Sequence, residues 1–343
     1  MKFFIEVIGC QQNEYDASRL GVFLQTAKYV KAKNAESADL IFVLACSVRQ
    51  TAVDRLLGRI NNWRKMGKKI YVTACVLPAD KKRLKQMGIE YFSDFKKLKT
   101  LLPKCKNKNV DKLYSQTNYV PIMTGCNNFC SYCVVPYLRG REKSRPLNDI
   151  IAEVKEIIHH YPTSQYSSGK FNIILLGQNV NSYQYGFAKL LKILNDLEGD
   201  FSISFTSNHP KDMTDDVIEA IASLPKVKKE VHLPLQSGSD KILKAMNRPY
   251  TARQYLKIVE NLKLKIKNLK LTTDVIVGFP GENEKDFQKT AEIFKKVQYS
   301  QAYINKYSPR AGTAAFSLGD PIPWSEKQRR WHVLNNIVHK KNV

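Results

Sequence analysis

The sequence predicts an α/β protein, an N-terminal open parallel sheet followed by a partial (β/α)6 barrel of the TIM type. Three observations carry this expectation. Short β-branched runs alternate with helical stretches along most of the chain, the pattern of parallel βαβ units. A polar, lysine-rich stretch at 103–117, PKCKNKNVDKLYSQT, interrupts that alternation and reads as a linker. With 343 residues the chain is long enough for two domains.

In the first part, FFIEVIG, ADLIFVLAC and KKIYVTAC read as strands. NEYDASRLGVFLQTA, VDRLLGRINNWRKM and ADKKRLKQMG read as the helices that follow them, giving a flavodoxin-like domain over 1–102. From Tyr119 the strands are YVPIMT, FNIILLG, FSISFTS, EVHLPL, KLTTDVIVGF and QAYINKYS. Between them stand DIIAEVKEIIHHY, AKLLKILNDLEG, TDDVIEAIASL, SDKILKAM with ARQYLKIVENLKLK, and EKDFQKTAEIFKKV, all with helical periodicity. Six units in about 190 residues fall short of the eight-unit barrel of about 250, so the domain at 118–315 is a partial barrel. In such barrels the chemistry sits at the C-terminal mouth, on the loops that follow the strands. The last segment, 316–343, reads as a basic helix from SEKQRRWHVLNNIVHKKNV.

Composition narrows the function classes. The chain is 43% hydrophobic and 25% charged, an ordinary globular balance. It has no run of eighteen apolar residues, which argues against a membrane span. The first residues, MKFFIEVIGC, lack a small-residue cleavage site and read as a strand, not a secretory signal. A cytoplasmic location follows as the expectation, and there clustered cysteines point to metal binding or catalysis instead of disulfides. Lys plus Arg number 55 against 31 Asp plus Glu, a formal charge of +24. Part of that surplus is solvated surface. A surplus of this size also attracts polyanions, of which nucleic acid is the commonest, without distinguishing DNA from RNA.

The cysteines carry the chemistry. Cys126, Cys130 and Cys133 lie in GCNNFCSYCVVPYLR, the loop after the first barrel strand, in a C-x3-C-x2-C pattern. Structural zinc wants four ligands, usually as two close pairs, and neither a second close pair nor a histidine stands nearby. A four-iron cubane normally takes four protein thiolates, so three leave one iron open to substrate or cofactor. Cys10, Cys46 and Cys75 each end a strand of the N-terminal sheet, the edge at which open α/β sheets bind ligands. One buried cysteine there is an ordinary small hydrophobe; three in the same structural place are a second trio. Cys105, in the linker, belongs to neither and reads as a bystander.

The C-x3-C-x2-C loop after the first strand of a six-unit barrel resembles the radical S-adenosylmethionine (SAM) superfamily. With the N-terminal trio added, the resemblance is to its methylthiotransferases and, most closely, to the MiaB-like tRNA methylthiotransferases. It rests on GCQQNEYDASR, GCNNFCSYCVVPYLRGREKSRP, LLGQNVNSY, TSNHP, HLPLQSGSDKILKAMNR, TTDVIVGFPGE and KYSPRAGT, which span Ile8 to Thr313. The resemblance implies a radical SAM barrel with two 4Fe-4S clusters, one on Cys126, Cys130 and Cys133 and an auxiliary one on Cys10, Cys46 and Cys75. SAM chelates the open iron of the first and is cleaved to a 5′-deoxyadenosyl radical, which abstracts hydrogen from C2 of N6-isopentenyladenosine beside the anticodon of tRNA. A methylthio group from the auxiliary cluster then joins that carbon. The same chemistry on threonylcarbamoyladenosine is the alternative. A zinc-stabilised, non-enzymatic RNA-binding protein is a more distant one. The implied partners are the tRNA anticodon stem-loop, an electron donor such as flavodoxin or ferredoxin and a sulfur donor, with no membrane and a monomeric chain.

Residue by residue, Tyr132 matches the aromatic that packs near adenine, and Gln236, Ser237, Asp274, Gly278 and Arg139 are the further candidates for SAM. Arg141, Arg145, Tyr183, Gln178 and Asn179 are the candidates for the RNA substrate, with Tyr137 and Tyr185 as further aromatics able to stack on a base. His209 reads as a satisfied structural histidine, and His159 and His160 as surface residues. The sequence departs from the family's pattern in three places. Leu44 and Ala45 stand where it usually has Asn-Thr, Ala74 stands for a common glycine before Cys75, and no TRAM domain follows the barrel. Either the chain is a truncated form, or the basic surface and the last helix, with Arg329, Arg330, Lys340 and Lys341, replace that domain in gripping tRNA.

Overall fold

The computed structural model describes residues 1–48, 50–102, 117–160 and 171–339. Cys105, Lys340, Lys341 and nearly all of the expected linker lie outside them. The chain divides into two compact units, Met1–Tyr119 and Val120–Val343.

The first unit runs β1 (Lys2–Val7), α1 (Gln11–Thr26), β2 (Val30–Lys31), β3 (Leu40–Cys46), α2 (Gln50–Lys65), β4 (Lys69–Cys75), α3 (Pro78–Gln86), β5 (Glu90–Tyr91) and α4 (Phe95–Leu101). Its five strands are parallel in the order β2-β1-β3-β4-β5, the doubly wound flavodoxin-like order whose switch point lies between β1 and β3. β3 is buried from Leu40 to Ala45 because helices cover both faces. Leu40, Phe42 and Leu44 pack with Leu20, Phe23 and Leu24 of α1, while Ile41, Val43 and Ala45 pack with Leu56, Ile60 and Trp63 of α2. The two-residue edge strands β2 and β5, and the helix α4, are too short for a periodicity to show, and the sequence reading does not include them.

The second unit is a partial barrel. Its elements are β6 (Tyr119–Pro121), β7 (Met123–Thr124), α5 (Val135–Arg139), β8 (Lys143–Ser144), α6 (Leu147–His160), β9 (Phe171–Leu176), α7 (Phe187–Asn195), β10 (Phe201–Phe205) and α8 (Asp215–Ser223), then β11 (Glu230–His232), α9 (Asp240–Ala245), α10 (Ala252–Lys265), β12 (Lys270–Val277), α11 (Glu284–Val297), β13 (Gln301–Lys306) and α12 (Trp324–His339). Two three-stranded sheets, β10-β9-β6 and β11-β12-β13, carry the six expected barrel strands. An isolated parallel bridge pairs Ile203 of β10 with Val227, three residues before β11. Capping boxes start α10 at Thr251 with Gln254 and α11 at Asn283 with Asp286. Two expected strands differ. YVPIMT breaks after Pro121, and β7 pairs antiparallel with β8. EVHLPL is regular only to His232, although Leu233 and Gln236 still donate to Thr272 O and Asp274 O. Proline at 234 has no N–H for a ladder.

Candidate functional site

The β7/β8 pair closes the base of the cysteine loop. Gly125 has φ +80°, and a Cβ on it would stand 2.1 Å from Arg141 O, so no other residue fits there. Cys126 N donates to Gly140 O at 3.1 Å, Asn127 N to Glu142 Oε1 at 3.2 Å, and Gly125 N to Gln178 Oε1 at 2.7 Å. The turn after α9 backs the loop. Ser131 donates through N to Met246 O and through Oγ to Ala245 O, and Asn247 Nδ2 reaches Asn128 O and Phe129 O. Tyr132 packs with Ile242, Met246, Phe279, Tyr307 and Ala315.

The residues present fit a thiolate-binding group. Cys126 and Cys130 are buried and none of the three thiols forms a disulfide. Burial pushes the Cys126 thiol up, and it pushes Cys133 up to about 12, with neighbouring Cys130 and Cys126 adding to the rise. Two N–H donors nonetheless point at sulfur: Asn128 Nδ2 at Cys126 Sγ and Arg248 Nη1 at Cys130 Sγ, both at 3.4 Å. Metal ligation requires thiolate, and donors to sulfur are what a ligating thiolate uses. Among the described residues no group of three His, Cys, Asp or Glu could hold a single metal ion.

The other loops at the strand ends supply the remaining candidates. Gln236 is buried with φ +65°, a conformation rare for a side-chain-bearing residue and common at binding sites. Ser237 is fully buried, and its Oγ accepts from Ser239 N at 3.2 Å. Gly278 N donates to Glu282 Oε2 at 2.6 Å. Asp274 Oδ2 is 3.0 Å from Nε2 of His232, whose Nδ1 is 2.9 Å from Thr272 Oγ1. Thr272, Asp274 and Ile276 alternate with the buried Leu271, Thr273, Val275 and Val277 on β12, so this dyad lies on the other face of the strand. Asn179 Nδ2 holds Asp212 Oδ2 at 2.8 Å, while its buried Oδ1 has no hydrogen-bond partner among the described residues.

Two basic residues and one tyrosine are placed otherwise than expected. Arg145 Nη1 donates to Glu153 Oε2 and Pro121 O, each at 2.6 Å, and Glu153 is fully buried, so this guanidinium braces α6. Tyr183 is buried and donates its hydroxyl to Arg145 O at 2.8 Å, so it does not offer a face for stacking. Arg330 is buried against Glu282, with Nη1 to Oε2 at 2.6 Å. Arg329 pairs with Glu326 and Glu284. Buried Arg330 is not the loose cation that a grip on tRNA requires, whereas the Arg329 side chain stays exposed at the surface. Arg141, by contrast, is exposed and lies 4.3 Å over the Phe129 ring. Tyr137 and Tyr185 are exposed, and Arg139 ends α5 two residues after Tyr137. His209 is only half satisfied: Nδ1 accepts from Lys211 N at 3.2 Å, while buried Nε2 has no partner among the described residues.

In the first unit the second trio gathers at the carboxyl edge of the sheet. Cys46 and Cys75 are register partners at the ends of β3 and β4. Cys10 is the exposed N-cap residue of α1, just past β1, so Cys10 and Cys46 flank the switch point. Asn13, buried at 1% exposure, donates to Leu44 O and Ala45 O, and its Oδ1 lies 3.9 Å from Cys10 Sγ. Fully buried Ser47 donates through N to Cys75 O at 2.7 Å and through Oγ to Asp80 Oδ2 at 2.8 Å. Ala74 has φ +73°, the left-handed conformation that glycine adopts without strain. Sequence reasoning did not single out Asn13, His232 or Arg248. Asn13 stands three residues after Cys10, a spacing that places it one helical turn along α1; His232 and Arg248 open and close the stretch HLPLQSGSDKILKAMNR, on which the family resemblance rests.

Comparison with known proteins agrees with this geometry. Residues 120–294 match the radical SAM superfamily, and residues 2–92 match an uncharacterized protein family, UPF0004. The chain is 40% identical to a tRNA-2-methylthio-N(6)-dimethylallyladenosine synthase of Clostridium botulinum over 99% of its length and 83% of that protein. It is 39% identical to the protein of that name from Thermoanaerobacter pseudethanolicus, over 98% of this chain and 78% of that one. The structure of a radical SAM methyltransferase from Kitasatospora setae, solved with cobalamin and a [4Fe-4S] cluster, superimposes with a TM-score of 0.68 over 92% of this chain and 77% of that one, at 11% identity, a likeness of fold. The chain thus belongs to the radical SAM superfamily and, within it, to the family of the tRNA-2-methylthio-N(6)-dimethylallyladenosine synthases.

Proposed function

We propose that this chain is a radical SAM methylthiotransferase that adds a methylthio group to C2 of N6-isopentenyladenosine beside the anticodon of tRNA. The observation that carries it is the pair of thiol trios, Cys126, Cys130 and Cys133 on the barrel loop and Cys10, Cys46 and Cys75 at the sheet edge, in a chain 40% identical to such a synthase over 99% of its length. The relatives' name speaks against threonylcarbamoyladenosine as the substrate. When bound, two 4Fe-4S clusters and SAM supply the radical and the methylthio sulfur.

The chain's own residues bind and orient. Cys126, Cys130 and Cys133 would hold one cluster and Cys10, Cys46 and Cys75 the other, each trio supplying three thiolates where a cubane takes four ligands. Tyr132 and the segment Gly278–Glu282 would frame the adenosine of SAM, with Gln236, Asp274 and Arg139 as polar partners, while buried Ser237 holds Ser239 N. Exposed Arg141, Tyr137 and Tyr185 meet the RNA, where a splayed base stacks on aromatic or guanidinium planes. Gln178 holds the loop through Gly125 N, Asn179 keeps a buried acceptor at the mouth, and Arg145 and Tyr183 brace this wall. A low-potential donor of the flavodoxin or ferredoxin kind and a separate sulfur donor complete the reaction, carried out by a cytoplasmic monomer. No described helix is long and apolar enough to cross a membrane. The test is nucleoside mass analysis of tRNA from cells with and without the gene. Loss of the methylthio group from isopentenyladenosine is expected. Its persistence, or its loss from threonylcarbamoyladenosine instead, would overturn the reading.

A further inference from the structure

Arg248 is a buried cation with no carboxylate partner among the described residues. Its side chain follows the turn after α9 and is 8% exposed. It donates through Nε to the Tyr250 hydroxyl at 2.9 Å, through Nη2 to Pro234 O at 3.3 Å and through Nη1 to Cys130 Sγ at 3.4 Å. Tyr250 passes its own hydroxyl proton toward Pro234 O and Leu235 O, which fixes the guanidinium from the other side. The same turn carries Ala245, Met246 and Asn247, all bonded to the cysteine loop, so Arg248 and Cys130 are held in one rigid assembly. A buried guanidinium facing only neutral acceptors is expensive. Among the groups it touches, Cys130 alone becomes an anion when it ligates iron.

We propose that Arg248 is a positioning residue that sets the reduction potential of the iron–sulfur group on Cys126, Cys130 and Cys133 by donating to Cys130 Sγ. This rests on the reading of that trio as cluster ligands. Reduction takes one electron from a low-potential donor; no bond forms or breaks, and no proton moves. The added charge enters a group that three thiolates already make net negative. A fixed cation and an N–H donor at one ligating sulfur stabilise that charge and raise the potential. Because 118 positions separate Arg248 from Cys130, the pairing exists only in the folded barrel.

The test uses the full chain carrying Cys10→Ala, Cys46→Ala and Cys75→Ala, so that one cluster is titrated. After anaerobic reconstitution, iron per chain is counted and the midpoint is read by electron paramagnetic resonance during titration with titanium(III) citrate. Arg248→Met is expected to keep about four irons and lower the one-electron equilibrium constant at least tenfold, a shift of about 59 mV. Arg248→Lys, which keeps the charge, is expected to fall between the two. An unchanged midpoint in Arg248→Met at full iron would overturn the proposal alone. Should that variant fail to hold iron, Arg248→Gln is read in the same way, and loss of iron there too makes Arg248 structural and overturns the proposal. A parent chain that binds no iron would overturn the proposed function and this proposal with it.

Discussion

Asn13 serves two thiols through one side chain. Its Nδ2 holds Leu44 O at 3.3 Å and Ala45 O at 3.0 Å, the carbonyls just before Cys46, while its Oδ1 faces Cys10 Sγ. Gly9 makes room for it, since a Cβ there would stand 2.3 Å from Asn13 Nδ2. Asn13→Ala removes the side-chain donor from Ala45 O and from Leu44 O, the latter keeping Ile8 N at 2.9 Å, and releases the Cys10 turn from β3. Iron in the purified, reconstituted chain should fall from about eight to about four atoms, with the barrel cluster's resonance signal intact; a full complement would show that Asn13 does not organise the trio. His209 makes a prediction in pH. Burial first, then Arg248 and Lys211, hold its imidazole down to about 2 from the ordinary 6.5. The unfolded chain takes up a proton below pH 6.5 that the folded chain refuses. Stability present above pH 6.5 is therefore lost as pH falls toward 2, by up to about 1.4 kcal/mol per pH unit for this group. His209→Asn should flatten that part of the slope in urea unfolding between pH 6.5 and 4.5, and an unaltered slope would show that the imidazole titrates normally.

At the level of elements, α12 is a structural strut. Arg330 reaches Glu282 Oε2 and O, Glu282 holds Gly278 N, and Lys327 donates to Tyr307 O, so the helix clamps the loop after β12 from behind. The two ion-paired side chains are 5% and 1% exposed. Arg330→Met strands a buried carboxylate and should cost about 3–5 kcal/mol in denaturant unfolding, most of it recovered by adding Glu282→Met; a cost under about 1 kcal/mol would show that the pair is dispensable. The basic composition of this helix was legible in the sequence, but its inward face was not. An arginine that ends in a buried pair and one that ends in solvent look alike until the partner, 48 positions away, is in place.

For the molecule as a whole, the formal charge of +24 makes binding of a tRNA anticodon arm a matter of counterion release. If about four phosphates are engaged, affinity should fall about a hundredfold between 50 and 200 mM salt, read by fluorescence anisotropy of a labelled stem-loop. A flat response would remove the charge surplus from the account of substrate binding. The α/β alternation and both thiol trios were readable from the sequence because they are local: strand period, helix period and a C-x3-C-x2-C loop need no distant partner. Even the strand-end position of Cys10, Cys46 and Cys75 followed from where each apolar run stops. The order β2-β1-β3-β4-β5, which sets Cys10 and Cys46 on either side of the switch point, was settled only by the folded sheet. So was the assignment of the cations. Arg145 and Arg330 turned inward to Glu153 and Glu282, and Arg248 turned to Cys130, because packing brings together charges far apart in the chain. The two sets of thiols were written in the sequence; the charges that surround them were decided by the tertiary structure.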